Sequence, residues 1–201
     1  MAGLRTGRKG GAAMRTIRAA LGAALLASSA ACSGACAGAG PMACEREMTR
    51  AAAATGVPLN VLYSIGLTET GRRGQLEPYD LNIDGREVRS DSLAEAMARF
   101  SAAKAGGAKL IDIGCMQINA HYHAGHFASL GAMFDPRLNV DYAANYLKTL
   151  KAEEGTWTLA VARYNAGPDN PAAERAYVCA VIRNTDLVEA RNRLRWFSLT
   201  T

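Results

Sequence analysis

No acidic residue precedes Glu45, no apolar run reaches membrane-spanning length, and all three histidines fall between positions 121 and 126. Each shortage narrows what the chain can do. The 201 residues carry a formal charge of +5, yet Arg5, Arg8, Lys9, Arg15 and Arg18 account for that excess. From Gly38 onward the remaining 18 Lys and Arg face 18 Asp and Glu, so nucleic acid is not an expected partner. The apolar run Ala19–Ala31 has 13 residues, short of the roughly 20 that a membrane-spanning helix needs. There is no internal repeat and no low-complexity linker after Pro41. What the chain does have, 49% hydrophobic and 20% charged residues, suits one well-filled core rather than two.

The N-terminus has the order of an export signal: basic, then apolar, then small residues such as Ala35-Cys36-Ala37 before Gly38. Residues 1–37 are therefore expected to be a signal peptide and 38–201 one exported, periplasmic domain, with membrane contact only through the leader. A lipid anchor at Cys32 or Cys36 is disfavoured by Ser29 and Ser33, which stand where a larger aliphatic residue is usual. Three cysteines remain. Cys44 opens the first helix and Cys179 lies in the last, so a bridge between them and a set of three packed free thiols are both open readings.

The segment after Pro41 reads as predominantly helical α+β, a single domain with a small antiparallel hairpin sheet. One helix stops at Gly56, and a second, from about Asn60, stops at Gly71. Asp84-Gly85 marks a hairpin, and Ser92 with Glu95 forms a capping box before a helix with Leu93, Met97 and Phe100 on one side. The stretch around Leu110, Ile111, Ile113 and Ile118 returns as a third strand. Helices follow over Asn139–Glu154, Thr156–Tyr164 and Ala172 to about Arg195.

One residue is out of place. In the second helix Glu69 follows Ile65 by four residues and Leu62 by seven, so a carboxylate shares the apolar face. At a helix C-terminus and partly desolvated, its charged form is disfavoured and its pKa should rise. A carboxylic acid still protonated near neutral pH can protonate a glycosidic oxygen. The plain alternative is an exposed glutamate paired with Arg72 or Arg73.

Two later segments, Asp112–Asn119 (Asp-Ile-Gly-Cys-Met-Gln-Ile-Asn) and Ala162–Gly167 (Ala-Arg-Tyr-Asn-Ala-Gly), join it in order. Glu69-Thr70, Gly114 to Gln117, and Tyr164, Asn165 and Gly167 together resemble the signature of the soluble lytic transglycosylases, with Glu-Ser, Gly-Leu-Met-Gln and Ala-Tyr-Asn-x-Gly as the family pattern. The resemblance runs from about Cys44 to Arg183 and implies a goose-type, lysozyme-like fold acting on peptidoglycan glycan strands. It is nearest to small exported members associated with secretion, conjugation or flagellar machines. Thr70 keeps the hydroxyl of the family serine, Cys115 replaces a leucine, and Arg163 replaces an alanine.

The resemblance implies a one-carboxylate mechanism with no cofactor and no metal. Glu69 is the catalytic acid and base in cleavage between N-acetylmuramic acid and N-acetylglucosamine, closing a 1,6-anhydro ring. Thr70, Gly114, Met116, Gln117, Tyr164 and Asn165 are the implied substrate-binding residues: Gln117 and Asn165 hold sugar amides or hydroxyls, Tyr164 orients Glu69 or the sugar, and Met116 lines the cleft. Three rivals stay open. A lysozyme-type hydrolase would need a second carboxylate, and Asp80, Asp84 and Asp112 are nearest in order. A non-catalytic peptidoglycan-binding scaffold would not need Glu69. Cys115 with His121, His123 and His126 would suit a thiol hydrolase or a metal site.

Overall fold

A computed structural model describes residues 42–71, 75–167 and 170–198. The expected signal peptide, the Cys32 and Cys36 question, and Arg72 and Arg73 lie outside the described residues. Helix α1 (Ala43–Thr55) buries Cys44, Met48 and Ala51 and ends at Gly56. Helix α2 (Leu59–Glu69) buries Leu62, Ile65 and Gly66 and ends one residue before Thr70. The apolar stripe leading to Glu69 is thus real, since Leu62 and Ile65 are completely buried.

The sheet follows. Strands β1 (Leu81–Ile83), β2 (Arg86–Val88), β3 (Ile111–Ile113) and β4 (Ile118–Asn119) pair antiparallel in the order β2-β1-β3-β4. The β1–β2 turn puts Asp84 at φ 47° and Gly85 at φ 85°, the left-handed pair that a two-residue hairpin needs to match strand twist. Asp84 also accepts N–H bonds from Lys109 at 3.2 Å and Leu110 at 2.9 Å, so its carboxylate is used in joining the hairpin to β3. Leu81, Ile83, Ile111 and Ile113 turn inward to the core. The fourth strand is an addition to the expected sheet; at two residues it is too short to show an alternating pattern.

Between sheet strands and after them come α3 (Leu93–Ala105), α4 (Ala120–His123), a 3₁₀ turn (Ala124–His126), α5 (Leu130–Phe134), α6 (Pro136–Glu154), α7 (Trp157–Ala166) and α8 (Pro171–Ser198). The Ser92 hydroxyl accepts the Glu95 N–H at 3.2 Å, and the Glu95 carboxylate reaches back to the Asp91 N–H at 2.9 Å. Both halves of the capping box are used. Helix α8 lies along α2 and α7, while α1 packs on α6. The architecture is the expected one: predominantly helical α+β with a small antiparallel sheet. Among the described residues no helix is long and apolar enough to cross a membrane.

Both open readings of the cysteines, the Cys44–Cys179 bridge and three free thiols, are corrected. The disulfide joins Cys44 to Cys115, with Cα atoms 5.6 Å apart, and Cys179 is free and exposed. The first turn of α1 is buried against the turn after β3, where both sulfurs meet within bridging range. Cys179 lies on the solvent side of α8.

Candidate active site

The elements converge on a cleft of about 680 Å³. The end of α2 supplies Glu69 to it, β3 supplies Asp112, the β3–β4 turn Gln117, α4 Tyr122 and His123, and the end of α7 Tyr164 and Asn165. A cavity of this size suits a small ligand or a few sugar units.

Glu69 is half-buried. Burial pushes its pKa up from 4.5 to about 7; the Tyr177 hydroxyl, which donates to Glu69 Oε1, pulls the other way, and the Asp112 carboxylate raises it further. Near neutral pH the group therefore exchanges its proton readily, which is what an acid that later acts as a base requires. Tyr177, from α8, went unnoticed in the sequence. Its only signal is a four-residue spacing to Val181, which is buried with it on one α8 face, and that spacing names no partner 108 residues away. Two further links pin α8 to α2: Asn184 Nδ2 donates to Thr68 Oγ1 at 2.8 Å, and Thr185 Oγ1 donates to Ser64 Oγ at 2.9 Å.

The Gly-Cys-Met-Gln turn is built by backbone geometry. Gly114 has φ +75°, and a Cβ there would lie 3.0 Å from Asn139 Nδ2 and 3.2 Å from the Pro78 oxygen. Gln117 also has a positive φ, 45°, and its Nε2 donates to the carbonyls of Asp80 at 3.1 Å and Gly114 at 3.0 Å. The turn rests on Asn139, which is almost wholly buried. Asn139 Oδ1 accepts the Met116 N–H at 3.0 Å, and Nδ2 donates to the carbonyls of Ile113 and Met133, each at 2.9 Å. Asn139 is absent from the motif, although it shares a helical stripe with Ala143 and Leu147 and so stands out in the same way as Glu69.

The remaining sequence candidates divide. Gln117, Tyr164 and Asn165 line the cleft with Glu69. Met116 does not: its side chain is fully buried in the core, and it contributes its carbonyl, which accepts the Tyr164 hydroxyl at 2.8 Å. Tyr164 therefore braces the turn, while Tyr177 holds the acid. Gly114 shapes the turn from behind the cleft. Thr70 is buried, its hydroxyl 3.4 Å from the carbonyls of Gly66 and Cys115 and from the Glu77 nitrogen. It joins the end of α2 to the turn. Arg163 lies in the cleft wall, its guanidinium bonded to Glu154 at 2.9 Å and to Glu174 at 2.5 Å.

Of the three aspartates, only Asp112 lines the cleft among those described. Its pKa is raised by burial, against the Asn119 amide, which donates to it at 2.6 Å. The Asp80 carboxyl is buried, accepts the Ser90 N–H at 3.3 Å, and is pushed up to about 6 chiefly by desolvation. The histidines belong to an aromatic wall: His123 Nδ1 pairs with the Tyr142 hydroxyl at 2.7 Å, and the His123 and Tyr146 rings lie 5.3 Å apart. Burial holds the His123 pKa below its usual value. The Cys115 sulfur is bound in the disulfide, which removes the thiol nucleophile. Among the described residues no three His, Cys, Asp or Glu side chains are placed to hold a metal ion.

Comparison with curated proteins and with solved structures finds no match. The model of the family described as Transglycosylase SLT domain matches residues 88–183. That segment runs from the sheet into α8 and holds the Gly-Cys-Met-Gln turn, Asn139, Tyr164 and Tyr177; Glu69 precedes it. The matched segment is 96 of the chain's 201 residues, and the chain is similar to that family over this segment.

Proposed function

We propose that the protein is a peptidoglycan lytic transglycosylase with Glu69 as its acid and base. One observation carries the reading: a half-buried carboxyl, its pKa pushed to about 7, stands at an open cleft with a tyrosine hydroxyl on one oxygen. Protonated Glu69 gives its proton to the oxygen leaving C1 of N-acetylmuramic acid, and the bond to N-acetylglucosamine breaks. The substrate's own N-acetyl group bears the positive charge at C1. The C6 hydroxyl then closes onto C1 and returns its proton to Glu69. Atoms balance without water, and the product is a 1,6-anhydro sugar. Gln117, whose amide is fixed by two carbonyls, and Asn165 at the cleft mouth hold acetamido or hydroxyl groups of the glycan. The leader-like N-terminus supports export to the periplasm, and the resemblance supports service to a secretion, conjugation or flagellar machine; cell fractionation and pull-down with such a machine's subunits test the two separately.

A second reading has its own observation. Asp112 shares the cleft with Glu69, so a water-activating or charge-stabilising carboxylate for lysozyme-type hydrolysis is available. Digestion of purified peptidoglycan, read by mass spectrometry, separates the two. Anhydro-muramoyl products, one water lighter than reducing ends, are expected from the wild type, and Glu69→Gln is expected to lower the rate by about 10²–10⁴-fold. Reducing ends that vanish in Asp112→Asn would make the protein a hydrolase. A Glu69→Gln chain that still turns over would sink both.

A further inference from the structure

Strand β3 and helix α4 form a thin wall, and a second cavity of about 340 Å³ lies on its other side. Leu110 and Asp112 line the cleft while Lys109 and Ile111 line the second cavity, as alternation along an extended chain requires. On α4, Tyr122 lines the cleft and His121 the second cavity. Both side chains are exposed, and their rings stand edge to face with centroids 4.7 Å apart. The two cavities therefore meet at the His121–Tyr122 pair.

Their linings differ. The second cavity has an apolar floor of Phe100, Ile111, Leu130 and Met133, and two cations, Lys104 and Lys109, at its edge. None of its described lining residues is acidic. Asp84, whose carboxylate accepts the N–H groups of Lys109 and Leu110, is not among them. An occupant complementary to this lining presents small apolar groups together with negative charge.

We propose that the second cavity holds the peptide branch of a glycan strand lying in the Glu69 cleft. The inference rests on the peptidoglycan reading above and names a substrate feature that reading leaves open. The peptides borne by such strands carry alanine methyl groups and free carboxylates, which match the floor and the lysines. Three residues of extended peptide span about 10 Å, and the His121 and Tyr122 rings between the two cavities lie 4.7 Å apart. The enzyme would then distinguish peptide-bearing strands from bare ones.

Binding without turnover tests this. The full chain carrying Glu69→Gln is titrated with a purified N-acetylglucosamine–N-acetylmuramic acid tetrasaccharide bearing tetrapeptides, and with the same sugar stripped of them. The peptide-bearing form should bind roughly threefold to tenfold more tightly, the range open to two exposed charge pairs. The difference should shrink with added salt and disappear in Lys104→Glu/Lys109→Glu, while the same reversal at Arg137, on α6, leaves it intact. Equal affinities for the two sugars, or a preference that survives the double reversal, would overturn the proposal and leave the glycan reading standing. Failure of both sugars to bind would overturn the glycan reading and the proposal together.

Discussion

At the residue scale the decisive quantity is the proton on Glu69. Its pKa of about 7 in the folded chain exceeds the value of 4.5 for a free glutamate. Between those two values the folded state keeps a proton that the unfolded state releases. The contribution of Glu69 to stability is thus complete below pH 4.5 and is lost as pH rises towards 7. Asp80, raised from 3.8 to about 6, acts in the same direction over a lower window. Thermal unfolding should accordingly show a Tm that falls between pH 4.5 and 7, and Glu69→Gln should flatten the upper part of that fall and unfold no earlier than the wild type at pH 7. Activity follows the same proton. In the proposed mechanism Glu69 is the acid, so the rate should drop on the alkaline side of about 7. The Tyr177 hydroxyl bonds the carboxylate and holds the pKa down. Tyr177→Phe should therefore move the alkaline limb to higher pH, a shift that a pH profile of kcat/KM reads and that a loss of packing alone would not produce.

At the scale of elements, the site depends on one turn held from behind. Gly114 sits at φ +75° against Asn139 and the Pro78 carbonyl, so Gly114→Ala meets both an unfavourable backbone region and a close contact. A cost of about 1–3 kcal/mol is expected, with reduced activity, since Gln117 and the Met116 carbonyl move with the turn; urea unfolding and the peptidoglycan digest measure the two effects. This is also where the sequence was most and least legible. Helix limits at Gly56, the hairpin at Asp84-Gly85 and the capping box at Ser92 are written in local residues whose physics acts within four positions, and each stands in the structure. Glu69 was visible because it breaks an apolar stripe. Asn139 breaks an apolar stripe in the same way; Tyr177 and the true partner of Cys44 leave no such mark, because each acts across a long stretch of chain and its own neighbourhood is unremarkable. The motif implies Thr70 and Met116 as cleft residues, but a motif records which residues are required and not which way their side chains face.

At the scale of the whole molecule, the Cys44–Cys115 bridge closes a loop of 71 residues that includes α1, α2, the hairpin and α3. Chain-entropy arguments put its worth at about 4 kcal/mol, a large share of a domain's net stability. Dithiothreitol should lower the Tm markedly and weaken glycan cleavage, while Cys179→Ser leaves both unchanged; a reduced protein that melts with the oxidised one would show that the bridge carries no such weight. The bridge also imposes an order on events. Cys44 leaves the ribosome, or enters any membrane channel, 71 residues before Cys115, so the two sulfurs cannot be joined until Glu69 and the first half of the sheet have already passed. A chain held in a reducing compartment has the glutamate but not the strap behind the turn that faces it. Closure of the strap behind that turn is thereby tied to oxidising surroundings.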